Sequence, residues 1–218
     1  MQRTIVIKTN KEAEVSVEEL YELRKAAFSQ WKAAGLSTPA ETMTQDQYQR
    51  CLIGRTVFVA LDNATRELLA MRTLKFNRKQ GFASEGDLSV APKAKRQGIA
   101  TKLLNYEVEW LQKEGYRYTT CSTAIPATWS VQWHLRNGYY VVGYTRNEKS
   151  NYASYVFRKQ IATDVRHHPS DLLWTKPIAP VTAKLRYCLT WLATMVCKDK
   201  AGRLNWLGRR AKDVRSKM

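Results

Sequence analysis

Residues 87–104, read DLSVAPKAKRQGIATKLL, constrain the fold more than any other stretch of this 218-residue chain. An apolar strand passes through Leu88 and Val90, stops at Pro92, turns through a basic loop and resumes helical apolar spacing at Ile99, Leu103 and Leu104. The stretch predicts a strand, a loop and a helix start. Gly98 and Ala100 put little or no side chain there, so a ligand can approach the backbone N–H groups closely. Those amides lack helical partners, and the helix dipole adds partial positive charge beside Lys93, Lys95 and Arg96. A phosphate or pyrophosphate cradle is the expected use.

The string Val90-x-Pro92-x-x-Lys95-x-x-Gly98-Ile99-Ala100 resembles motif A of the GNAT family of acyl-CoA-dependent N-acyltransferases. The family's pyrophosphate loop reads Arg or Gln, two residues, Gly, one residue, then Gly or Ala. Lys95 stands where Arg or Gln is usual, which leaves the backbone amides intact. The resemblance implies that the pantetheine arm of acetyl-CoA, or of another acyl-CoA co-substrate, pairs with the main chain at Leu88 and Val90. It also implies that the pyrophosphate sits on the amides of Arg96, Gln97, Gly98, Ile99 and Ala100, with a hydroxyl from Thr101. Lys93, Lys95 or Lys102 could meet the remaining phosphates.

Composition sets outer limits. A hydrophobic content of 44% fits a globular protein rather than a disordered one, and the length suits one full domain with an appendage. The net charge of +17 calls for an anionic partner, which could be a polyphosphate co-substrate, an anionic substrate, an acidic membrane surface or nucleic acid. Residues 1–160 carry +9 and residues 161–218 carry +8, so charge is far denser in the tail. Cys51, Cys121, Cys188 and Cys197 have no metal-ligand spacing and read as free thiols suited to a reducing compartment, with no metal expected. The opening MQRTIVIKTN lacks a signal-peptide run, and no 18-residue apolar run occurs, so a cytoplasmic location is expected.

Along the chain, residues 4–8 read as a first strand. Ser16 with Glu19 forms a capping box for a helix to about Ala33, and Thr44 with Gln47 a second for a short helix to about Ile53. Residues 37–42 read as a polar connector between them. Residues 56–61, 68–75 and 82–90 predict three strands in an antiparallel meander. The helix from Gly98 should reach about Lys113, followed by a strand at 118–122, a helix at 127–137 and strands at 139–144 and 152–157. The order β-α-α-β-β-β-α-β-α-β-β matches the α/β (α+β) GNAT fold, a mixed, mostly antiparallel sheet flanked by helices. The resemblance covers residues 3–160, most strongly 82–145. Two parts are expected: an acyltransferase domain at 1–162 and an extension at 163–218.

Acyl transfer from a thioester to an amine needs a proton acceptor for the amine and a proton source for the departing thiolate. Glu85 and Asp87 lie on the strand that would deliver the thioester. Alternation puts them on one face, and family members often use an acidic residue of this strand as general base. The segment ATWSVQWHLRNGYY aligns with the family's second motif through Gly138 and Tyr139, although Ala127 and Ser130 depart from it. His134 then fills the place of a tyrosine that serves as general acid, and an imidazolium can donate a proton. Each of the three residues could equally be structural.

Residues 164–178 have the composition of a linker. Val181, Leu185, Cys188, Leu189, Leu192, Met195 and Val196 form one helical stripe, and Leu204, Leu207, Ala211 and Val214 form a second among many Arg and Lys. Two basic amphipathic helices are expected across residues 181–217. They could pack on the domain, form a homodimer, or lie on an anionic membrane surface at its inner face, where Trp174, Trp191 and Trp206 would suit the interface. Nucleic acid is the weaker partner, because no recognition motif accompanies the charge.

The expected function is transfer of an acyl group, foremost acetyl, from coenzyme A to a primary amine of unknown class, without a covalent enzyme intermediate. Two alternatives are a GNAT-fold binding or assembly protein acting through its basic tail, and an acyltransferase with a longer acyl donor.

Overall fold

A computed structural model describes residues 4–146 and 150–162, and in it Ser16 caps the first helix as its spacing to Glu19 predicts. The Ser16 hydroxyl accepts from the Glu19 amide while the Glu19 carboxylate accepts from the Ser16 amide at 2.8 Å. Thr44 and Gln47 repeat the arrangement at a second helix. These local devices set where the chain enters each helix before any tertiary contact is made.

The order is β1 (Ile5–Thr9), α1 (Val17–Ala33), α2 (Pro39–Thr42), α3 (Gln45–Leu52), β2 (Thr56–Asp62), β3 (Leu68–Asn77), β4 (Phe82–Val90), α4 (Ile99–Lys113), β5 (Tyr118–Ala124), α5 (Thr128–Arg136), β6 (Tyr140–Arg146) and β7 (Ala153–Gln160). A 3-10 turn at Pro92–Ala94 separates β4 from the loop before α4. The expected connector at 37–42 is not wholly irregular. Pro39, whose fixed φ suits a first helical position, opens the single turn of α2.

The strands form one sheet in the order β1-β2-β3-β4-β5-β7-β6. All neighbours are antiparallel except β4 and β5. Met71 and Arg72, adjacent on β3, show how the two faces are covered. Met71 Sδ accepts from the Tyr48 hydroxyl of α3 at 3.6 Å, whereas Arg72 pairs with Glu107 of α4. The larger core lies between these layers and includes Leu20, Phe58, Leu69, Leu74, Leu103 and Leu111.

Two irregularities shape the middle of the sheet. The parallel pair β4–β5 is in register only where residues 82–84 face 118–120. Beyond Ser84 the strands part, and the β5-facing edge of β4 is left open from Glu85 onward. On its other side β4 pairs Gly86 with Thr73 and Ser89 with Met71, so Asp87 and Leu88 together lie opposite Arg72. This is a β-bulge, and Asp87 takes a φ of 34°. Gly86 permits the approach, since a Cβ there would lie 2.8 Å from Thr73 Oγ1.

No helix among the described residues is long and apolar enough to cross a membrane. The expected linker and the amphipathic helices of residues 181–217 lie outside the described residues.

Candidate active site

The start of α4 carries the features that a bound phosphate requires. Gly98 is its N-cap with φ 74°, no side chain caps the exposed amides, and no acidic residue lies in the first turn. A Cβ built on Gly98 would meet no atom within 4 Å, so the space before the amides is open. Arg96 is also left-handed, at φ 61°.

Nearby side chains divide between this opening and other partners. Lys95 reaches Oε1 of Gln30 on α1, and partial burial lowers its pKa. Lys93 does not turn to the loop but pairs with Glu67. Gln97 donates to the Lys93 carbonyl at 2.9 Å, and Thr101 donates to Asn137 Oδ1 at 3.4 Å.

A cleft of about 900 Å³ runs from this opening between α1 and α5. Leu88, Val90, Lys95, Arg96, Gly98, Ile99, Ala100 and Thr101 all line it, while Gln97 is not on its wall. Trp129, Trp133 and Arg136 of α5 form the opposite side. A second cavity, about 820 Å³, is lined by Glu85, Asp87 and His134 together, with Arg24 and Arg72. Trp31, Leu88 and Ser130 line both spaces, so the two meet at the bulge of β4.

The two carboxylates do not share a setting, although plain alternation along the strand puts them on one face. The bulge intervenes. Asp87 turns toward α1, where its Oδ1 lies 3.1 Å from Arg24 Nε, and about a quarter of its side chain is accessible. Glu85 is held on the α4 side of the sheet, ion-paired with Arg72 and accepting from the Tyr139 hydroxyl at 2.7 Å. Arg72 also donates to Tyr139 Oη at 2.8 Å and lies 2.8 Å from Glu107 Oε2. Burial raises the Glu107 pKa to about 7, against the lowering pull of Arg72. Burial likewise pushes the Tyr139 phenol well above its usual value.

His134 is buried, and its ring stacks on Phe157 at 5.0 Å between centroids. Burial first, then the nearby charge of Arg72, lowers its pKa to about 4, although the bond to Ser130 pulls the other way. The expected imidazolium is therefore corrected to a neutral ring at physiological pH. The partner fixes the tautomer. A carbonyl oxygen only accepts, so Nδ1 donates to Ser130 O at 2.7 Å and Nε2 carries a lone pair. His134 thus offers a hydrogen-bond acceptor at Nε2, and as a ring that resists protonation it is not the expected proton donor.

Arg24, Arg72, Glu107 and Tyr139 were not singled out as site residues by sequence reasoning. Two signals were present. Glu107 falls on the apolar stripe of α4 with Leu103, Leu104 and Leu111, and Arg72 interrupts the apolar run LLAMRTL. A charge at a core position is expected to have a buried partner. Among the described residues no group of His, Cys, Asp and Glu could hold a metal ion.

Comparison with known proteins identifies the family and the fold. A family model described as "Acetyltransferase (GNAT) family" matches residues 17–139. A search of curated proteins gives no match. Among solved structures, the ribosomal-protein-S18-alanine N-acetyltransferase of Escherichia coli is similar at a TM-score of 0.58 and 12% identity, over 75% of this chain and 100% of that one. The paia N-acetyltransferase of Thermoplasma acidophilum, solved in complex with coenzyme A, gives 0.57 and 15% over 72% and 99%. A spermidine N-acetyltransferase chimera from Vibrio cholerae and a second source gives 0.55 and 14% over 72% and 95%. At these identities the likeness is one of fold.

Proposed function

The chain belongs to the GNAT acetyltransferase family, and we propose that it is an acyl-CoA-dependent N-acyltransferase that moves acetyl to a primary amine by direct attack. The observation that carries this reading is the pair of cavities meeting at Leu88. One ends on the uncapped amides of α4, and the other holds Asp87 and His134.

The residues present fit the pyrophosphate of coenzyme A. Open space before the amides, a left-handed Gly98, a first turn free of carboxylates, and Lys95, Arg96 and Arg136 on the wall all favour an anion. The open edge of β4 leaves main-chain groups near Leu88 and Val90 available to an extended amide-bearing arm. The bound co-substrate supplies the acyl thioester, and what remains falls to the chain. An amine is mostly protonated at neutral pH and must lose a proton before it attacks. Asp87, paired with Arg24 through one oxygen but about a quarter accessible, is the proton acceptor on the cavity wall; Glu85 is buried between Arg72 and Tyr139, and His134, kept neutral by burial, resists taking a proton. Cys121 also lines this cavity, but burial pushes its thiol up to about 12, which speaks against a thiolate nucleophile and for direct attack.

Titration calorimetry with acetyl-CoA, followed by thiol release on adding an amine panel, tests the reading. Saturable binding with amine-dependent release is expected. Absence of both would contradict it.

A further inference from the structure

The acceptor cavity contains a buried cation that the acyl-transfer reading does not use. Arg24 of α1 is 5% exposed and lines that cavity beside Asp87. Its Nε lies against Asp87 Oδ1, while its guanidinium carbon stands 5.7 Å from the Phe28 ring centre and 5.1 Å from that of Tyr48. The ion pair with Asp87 engages Nε, and Nη1 is buried with no hydrogen-bond partner. On the same cavity, Thr38 Oγ1 is buried and equally unpartnered; Thr38 is the N-cap of α2 but makes no capping bond.

A guanidinium offers five donors in a rigid fork suited to carboxylates, and leaving such donors buried and unmade is costly. Two orphaned groups lining one cavity, Arg24 beside a carboxylate, mark a place where a ligand supplies the missing partners. We infer that the acceptor substrate is an amine carrying a carboxylate on the neighbouring carbon, an α-amino acid, with its carboxylate toward Arg24 and Thr38 and its amine toward Asp87. Because Arg24 and Asp87 are in contact, the two ligand charges must be separated by only a few bonds. That spacing matches an α-amino acid and excludes long polyamines. Phe28, Trp31 and Tyr152, which line the same cavity, favour an apolar or aromatic side chain.

This inference rests on the acyltransferase reading, and the test separates the two. With acetyl-CoA saturating, thiol release is compared for L-phenylalanine, L-phenylalaninamide and phenethylamine, and calorimetry measures binding of each to the CoA-loaded protein. A kcat/KM for L-phenylalanine at least about tenfold above both carboxylate-free amines supports the assignment. The preference should collapse in Arg24→Met through KM and be partly kept in Arg24→Lys, with thermal melts checking that both variants fold. Equal use of the three amines, or preference for phenethylamine, overturns the inference and leaves the acyltransferase reading intact. No acetyl-CoA binding and no transfer to any amine overturns both.

Discussion

His134 Nδ1 donates to the Ser130 carbonyl at 2.7 Å, four residues back along α5, and burial keeps the ring neutral, so Nε2 is left as a hydrogen-bond acceptor. A measurable pH dependence follows. The native ring titrates at about 4, and the unfolded one near 6.5. Between these values the unfolded state takes up a proton that the native state refuses. The contribution to stability is therefore complete above pH 6.5 and is lost as pH falls toward 4, by about 3 kcal/mol at most. Glu107 acts oppositely, since its raised pKa favours the native state as pH falls from about 7. The comparison with His134→Gln isolates the histidine. Urea midpoints from pH 7 to pH 4.5 should fall more steeply in the wild type than in the variant, and parallel curves would count against a neutral buried ring.

Arg72 is shared by Glu85 and Glu107, all three with side chains at most 1% exposed. Arg72→Met leaves two buried carboxylates without their cation and should cost about 3–5 kcal/mol in urea unfolding. Glu107→Gln removes a charge that burial already disfavours and should cost no more than about 2 kcal/mol. The reverse ranking would mean that Arg72 is not the centre of this network.

The capping boxes Ser16/Glu19 and Thr44/Gln47 were legible because their partners are three residues apart and need no tertiary context. Motif A was legible for a similar reason, since strand, turn and helix start are contiguous. The relation of Glu85 to Asp87 was not. Alternation holds only for a regular ladder, and the bulge arises where Gly86 meets Thr73 on a neighbouring strand. The charge of His134 was misread for a related reason: its pKa depends on burial against Phe157 and on Arg72, 62 positions away in sequence. Arg72 and Glu107 stood out as charges in apolar runs, but which charge meets which is decided by packing.

Gly98 and Gly54 have φ of 74° and 71°, and a Cβ at either meets nothing within 4 Å. Gly98→Ala and Gly54→Ala should therefore lose similar stability, about 1–2 kcal/mol each, from the left-handed backbone alone. Only Gly98→Ala places a methyl before the α4 amides. It should weaken CoA binding by about tenfold, or 1.4 kcal/mol, in calorimetry. Equal CoA affinity in the two variants would remove the loop from the cofactor site.

Asp87→Asn should lower kcat/KM for the amine by about a hundredfold while CoA affinity stays within about twofold, because the residue lines the acceptor cavity and not the cofactor cleft. Loss of CoA affinity in step with turnover would assign Asp87 to the fold instead of the reaction.

Direct transfer at the junction of the two cavities is the central claim, and rapid mixing with acetyl-CoA tests it most directly. Thiol release is followed with and without a competent amine. The predicted result is release that begins only when the amine is present, with no initial burst in its absence. A burst of one thiol per protein molecule without amine, leaving the acetyl group covalently on the chain, would contradict the account.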